Sequence, residues 1–119
     1  MIPRQTKRVN ALAAATVTAD QLTGILAERI MGWRVRPDRF LMGKRRWQPR
    51  WRFRPMERLE DAFELLEKAA PQSYAMEDDG SGFCVRVRIG DTSGQAHDVS
   101  KARAVTLALA QALGIEVES

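Results

Sequence analysis

The stretch EDDGSGFCVRVRI (77–89) constrains the fold more than any other part of the chain. Turn-forming residues run directly into a strictly alternating segment. Phe83, Val85, Val87 and Ile89 fall on one side, and Cys84, Arg86 and Arg88 on the other, because successive strand side chains point to opposite faces. Such a segment is a strand with one buried face, and YAM (74–76) before the turn makes it the second half of a hairpin. An isolated two-stranded hairpin is marginal in water. The rest of the chain must therefore supply an apolar cover.

Three helical patterns do so. Thr18 and Gln21 form a capping-box pair ahead of a stripe of Leu22, Ile25, Leu26 and Ile30, with Gly32 placed to end the helix. Pro55 suits the first turn of a second helix whose apolar positions are Leu59, Ala62, Phe63 and Leu66, widened by Leu65 and Ala69 and closed by Pro71. A third stripe runs through Ala102, Val105, Thr106, Leu109, Ala112 and Leu113, with Gly114 after it. Between the hairpin and this last helix, GDTSGQAHD (90–98) reads as a polar loop. The order predicts an α+β fold, three helices around a small, mostly antiparallel sheet in an α-β-α sandwich-like arrangement. Residues 18–116 are expected to be this single domain, and residues 1–17 a flexible N-terminal arm. The arm is basic and then alanine-rich, and its apolar stretch is short, so a cleaved leader is not expected.

Between the first two helices the periodicity disappears. RFLM (39–42) and RWRFR (50–54) read as short strands. In the second, Trp51 and Phe53 would share one face and Arg50, Arg52 and Arg54 the other, with the flanking prolines keeping the strand at a sheet edge. This region contains KRRWQPRWRFRP (44–55), six cations laced with aromatics. Charge is distributed to match: residues 1–32 carry a net +2, residues 33–58 a net +8 and residues 59–119 a net −6. A partner with negative charge would explain this, and so would packing of one half on the other.

LAERIMGWRV (26–35) and RLEDAFELLEK (58–68), followed by a two-strand segment and SKARAVTLALAQAL (100–113), resemble the phage ABA sandwich domain found in small proteins of tailed phages and prophages. The resemblance spans about residues 20–113. It implies a sheet between helical layers, no assigned catalytic residues, and a bacterial host cell, hence a cytoplasmic setting. The chain departs from that pattern at RFRPMER (52–58), where the family tends to have Pro-Tyr-Ser-Thr-Asp, and in the arginine density of 44–58.

Catalysis is not expected. The single histidine, His97, lies in the segment read as a loop, and Cys84 is the only cysteine. That excludes an intramolecular disulfide and any multi-cysteine metal site. Asp78, Asp79, Asp91 and Asp98 show no metal-ligand spacing, and no cofactor is implied. No apolar run is long enough to span a bilayer, so no membrane partner is expected. Macromolecular binding is left. The favoured partner is nucleic acid, held by Lys44, Arg45, Arg46, Arg50, Arg52 and Arg54, although no RNA-recognition, KH or zinc-knuckle motif is present. The aromatics Trp33, Trp47, Trp51 and Phe53 are expected to lie mainly in the core. The alternative is docking on a host or phage protein through Glu57, Glu60, Asp61, Glu64 and Glu67, with Glu77, Asp78 and Asp79, as an anti-CRISPR-like inhibitor of a host defence complex or a virion accessory component. Homodimerisation, acidic helix against basic strand, is a further arrangement.

Overall fold

The computed structural model describes residues 16–117; residues 1–15, which hold most of the expected arm, and residues 118–119 lie outside the described part. The described part begins with β1 (Thr16–Val17) and α1 (Ala19–Leu26), which widens into a π-helical turn over Ala27–Met31. Then come β2 (Arg34–Val35), β3 (Arg39–Gly43), β4 (Arg46–Pro49), a 3-10 turn (Arg50–Arg52) and α2 (Leu59–Ala69). β5 (Ser73–Asp78), β6 (Phe83–Ile89), β7 (Thr92–Asp98), α3 (Lys101–Ala112) and β8 (Glu116–Val117) complete it. The result is an α+β fold with three helices. Its strands form two three-stranded antiparallel sheets, β2–β3–β4 and β5–β6–β7, and a short parallel pair of β1 with β8.

Local chemistry accounts for the helix ends. The Gln21 N–H donates to the Thr18 hydroxyl at 3.2 Å, and the Thr18 N–H donates to Gln21 Oε1 at 2.9 Å, so the expected capping box is complete. Gly32, at φ 75°, ends the π turn in the left-handed region that favours glycine. The second helix starts later than Pro55 suggests. The Glu57 and Arg58 N–H groups both donate to the Arg54 C=O, closing one isolated turn, and Arg58 then goes extended before α2 begins. Pro55 itself is buried, and its C=O accepts a hydrogen bond from Thr106 of α3 at 2.8 Å.

Most of the segment 90–98, expected as a loop, is a strand, β7 following the Gly90–Asp91 turn. β7 pairs with β6 in register from Ile89↔Thr92 to Phe83↔Asp98. Its inward positions are Thr92, Gly94, Ala96 and Asp98, too small or polar to give an apolar alternation. Gly94 has to be small: a Cβ there would overlap the Ala108 C=O and the Ala112 amide of α3. The alanine-rich α3 thus lies almost directly on the sheet through β6 and β7, and α2 packs on α3. Covered on both sides, α3 buries Ala104, Ala108 and Ala110 in addition to its expected stripe. Val85 and Val87 meet it from the sheet, as the alternation of 83–89 predicts.

A second apolar centre joins the other sheet to the helices. Trp33, Phe40 and Phe53 pack ring against ring, with centroids 5.0–5.8 Å apart. The two pairs that Phe53 makes are edge to face, a geometry that adds about 0.5–1.5 kcal/mol per pair beyond burial. This triad anchors the irregular middle of the chain.

Candidate nucleic-acid interface

The basic stretch does not form the single arginine-bearing strand expected over 50–54. The strand is β4, at 46–49, and Arg50–Arg52 is a tight 3-10 turn with the Phe53 N–H donating to the Arg50 C=O. Side chains in such a turn fan outward at about 120° per residue instead of alternating. Trp51 therefore projects into solvent, 67% exposed, while Phe53 is buried. The aromatics divide in two: Trp33 and Phe53 belong to the core, whereas Trp47 is 54% exposed.

The six cations divide as well. Arg50 points inward, its side chain only 20% exposed. Its guanidinium donates to the Asp20 C=O at 3.1 Å and the Arg36 C=O at 3.5 Å, sits 3.6 Å from the Asp20 carboxylate and lies over the Phe40 ring. It is a structural tie between α1 and the small sheet. Arg54 is paired with Glu57 at 3.3 Å. Lys44 and Arg45 form the tip of the β3–β4 hairpin, where Arg45 adopts φ 62°. Arg46 lies on the inward side of the hairpin, lining a groove of about 410 Å³ with Met31, Trp33, Met42, Lys68 and the acids Glu64 and Glu67 of α2. Arg52 is exposed and, among the described residues, in no ion pair.

What the structure brings together is a different set. Pairing of Arg34 with Leu41, Leu41 with Trp47 and Arg39 with Pro49 places Arg34, Arg39, Leu41 and Trp47 on one face of the β2–β3–β4 sheet. The opposite face carries buried Phe40, so this one looks outward. The Arg39 guanidinium lies 4.5 Å from the Trp47 ring centroid and is held at 3.0 Å by the Asp38 carboxylate. That hydrogen bond from Arg39 keeps the Asp38 carboxyl below its usual value and raises Arg39. The hairpin tip extends the face with Lys44 and Arg45. Sequence reading missed Arg34 and Arg39, which lie outside the dense run. Strand parity together with the 39–42 assignment would have aligned Arg39 with Leu41, but its partner Trp47 was hidden by the misplaced second strand.

The acidic alternative is also reduced. Asp61 is buried: it accepts the Arg54 N–H at 2.9 Å and sits 3.7 Å from the Arg58 guanidinium, so it fixes the isolated turn before α2. Glu57 and Glu60 are paired with Arg54 and Arg58. Of the α2 acids, only Glu64 and Glu67 stand exposed and outside any ion pair among the described residues, and Asp78 at the end of β5 is likewise exposed and in no ion pair. Phe63, expected in the core stripe, is partly exposed at the margin of α2 against Tyr74.

Cys84 and His97 are cross-strand neighbours on the outer face of the second sheet. The His97 ring is engaged elsewhere, 3.0 Å from the Asp79 carboxylate, and Cys84 Sγ accepts from Gln95 at 3.4 Å. Asp79 caps the 78–82 turn, accepting from the Ser81 and Gly82 N–H groups, and these bonds hold its carboxyl below the usual range. Asp98 accepts the N–H of Ser100, the N-cap residue of α3, at 2.9 Å and pairs with Arg103 at 3.2 Å. Among the described residues no cluster of three or more His, Cys, Asp or Glu side chains is arranged to hold a metal, and no helix is long and apolar enough to cross a membrane.

No family model matches the sequence, and no curated protein is similar to it. The fold is similar to that of a phage protein from Bacillus cereus ATCC 14579 solved as a crystal structure, with a TM-score of 0.64 at 16% identity, covering 84% of this chain and 91% of that one. At that identity the likeness is one of fold.

Proposed function

We propose that this chain is a non-catalytic accessory protein of phage or prophage type, of the ABA sandwich kind, which binds single-stranded nucleic acid in the host cytoplasm through the outward face of the β2–β3–β4 sheet. The observation that carries the reading is Trp47, more than half exposed on a sheet face with Arg39 against its ring and Arg34 beside it. An exposed indole on an uncovered sheet is a stacking platform for an unpaired base, worth about 1–3 kcal/mol per base. The neighbouring guanidinium groups and the Lys44–Arg45 tip supply phosphate contacts. The phage setting is supported by the fold likeness to the Bacillus phage protein and by the sequence resemblance.

Titration of single-stranded oligonucleotides at low salt, followed by tryptophan fluorescence and anisotropy, tests it. Binding with quenching is expected for the wild type and strong weakening for Trp47→Ala and for the Arg34→Ala/Arg39→Ala pair. No binding at low salt to DNA or RNA of either strandedness would sink the reading. A second reading, docking on a host or phage protein, is favoured by Glu64 and Glu67, which stand unpaired on the rim of the groove beside Met31, Trp33 and Met42. It predicts that Glu64→Lys/Glu67→Lys abolishes the biological effect while oligonucleotide binding is absent throughout.

A further inference from the structure

The β5–β6–β7 sheet has two edges, and they are treated differently. Along β7, the Gln95 N–H is taken by the Gln111 side chain of α3, and the Thr92 hydroxyl bridges to the Ala112 C=O at 2.7 Å. The β1–β8 pair adjoins the same side, where Thr16, Ile115 and Val117 line a groove with Gln95 and Ala96. The β5 edge has no such cover. Among the described strands, Ser73–Asp78 pairs with β6 alone, and five of its six residues are exposed. It contains no proline, no lysine and no bulge: its register runs unbroken from Ser73↔Arg88 to Asp78↔Phe83. Those are among the devices by which edge strands resist pairing, and the charges β5 does carry, Glu77 and Asp78, are confined to its C-terminal end. Beside the edge, Phe63 (39% exposed) and Tyr74 (37% exposed) stack edge to face with centroids 6.2 Å apart, extending the apolar inner face to the margin.

We infer that β5 pairs antiparallel with β5 of a second copy of this chain, about a two-fold axis at Ala75, joining the two sheets into one of six strands. A two-fold axis normal to the sheet keeps equivalent faces together, so opposed residues have the same parity. Centred on Ala75, it sets Ser73 opposite Glu77 and Tyr74 opposite Met76. The inner face then gains two Tyr74–Met76 contacts next to Phe63. On the outer face no like charges meet. Arg88, which pairs with Ser73 and is in no ion pair among the described residues, faces Glu77 of the second copy across the small serine. Moving the axis to Glu77 opposes two carboxylates, and moving it to Met76 sets Asp78 against Tyr74. The Ala75 register is the one in which backbone, apolar and charged groups all agree. Six residues a side put the contact at the low end of specific interfaces, below about 1,200 Å², so the dimer is weak and dissociates on dilution.

Sedimentation equilibrium over a range of concentrations reads the assembly directly. The wild type is expected to show a reversible monomer–dimer equilibrium. Ala75 is exposed on the outer face, so Ala75→Lys and Ala75→Glu should fold normally by circular dichroism. Each alone places like charges on the axis and should be monomeric; an equimolar mixture should recover the dimer. Ala75→Cys in a Cys84→Ser background should give a disulfide-linked dimer on mild oxidation, since paired strands hold opposed Cα atoms at about 4.5–5.5 Å, within disulfide range. A wild type that stays monomeric at every concentration overturns the inference, and so does a dimer that survives both charge variants.

Discussion

Arg50 and Arg52 are two residues apart and have opposite fates. Arg50 satisfies two backbone carbonyls that sit 30 and 14 residues away, at Asp20 and Arg36, whereas Arg52 touches nothing that holds the fold. Hydrogen bonds to a charged group contribute about 1.5–3 kcal/mol. Arg50→Ala is therefore expected to lower the melting temperature by several degrees, and Arg52→Ala to leave it within error, in a thermal denaturation series. Nothing local distinguishes the two arginines in sequence, because what distinguishes them is supplied by distant parts of the chain. Thr18 is the contrary case: its partner is three residues away, and the capping box was legible at once. Asp79 adds a pH prediction. Its carboxyl is lowered in the folded state by bonds from Ser81 and Gly82 and by the nearby His97. A lowered folded value means that the unfolded chain binds the proton more readily. The stabilisation is present above the ordinary carboxylate value and is lost as pH falls through the lower folded value. Asp79→Asn is expected to flatten this part of the acid limb in urea titrations while lowering stability at neutral pH.

β7 and α3 meet at a glycine, and that contact determines how the third strand is read. The helices and β6 announce themselves by apolar spacing, since each buries large side chains on one face. β7 turns Gly94 and Ala96 inward instead, because at Gly94 α3 approaches too closely for anything larger, so its sequence resembles a loop although it pairs with β6 along its whole length. The mistaken start of α2 has a related origin: Pro55 is compatible with a first helical turn, but the Asp61 carboxylate takes the Arg54 N–H and the Thr106 hydroxyl takes the Pro55 C=O. Two substitutions probe these contacts. Gly94→Ala forces a methyl into the α3 backbone and is expected to cost about 3 kcal/mol or more, above the usual 1–3 for overpacking. Thr106→Val keeps the shape but leaves a buried carbonyl unpaired, with an expected loss of about 1–3 kcal/mol. Chemical denaturation midpoints with unchanged m-values would check both. Equal stability of Gly94→Ala and wild type would mean that β7 and α3 do not pack as described.

The uneven charge of the whole molecule resolves into several surfaces. Much of the basic middle is internally neutralised: Arg50 by Asp20, Arg54 by Glu57, Arg58 by Glu60 and Asp61, and Arg46 faces Glu64 and Glu67 across a groove. These partners lie mostly outside the acidic half: Asp20 belongs to the first segment and Glu57 to the basic one, and of these cations only Arg58 is in an ion pair with acids of residues 59–119. Packing of one half on the other, one of the two explanations open from sequence, therefore accounts for little of the asymmetry. Among the other cations, Arg34, Lys44, Arg45 and the Asp38-paired Arg39 lie around Trp47 and supply the proposed interface. If single-stranded nucleic acid is the ligand, its affinity should fall with salt along a logarithmic slope of about −0.7 per phosphate neutralised. Charge and stacking then separate. Replacing Arg34 or Lys44 with alanine should weaken binding and make the slope shallower by about 0.7 for each cation that contacts phosphate. Trp47→Ala should weaken binding by about 1–3 kcal/mol and leave the slope unchanged, because stacking releases no counterions. Anisotropy titrations at several salt concentrations give both quantities from one data set. A Trp47 variant that altered only the slope, or cation variants that altered only the intercept, would place the contact on some other surface of the molecule.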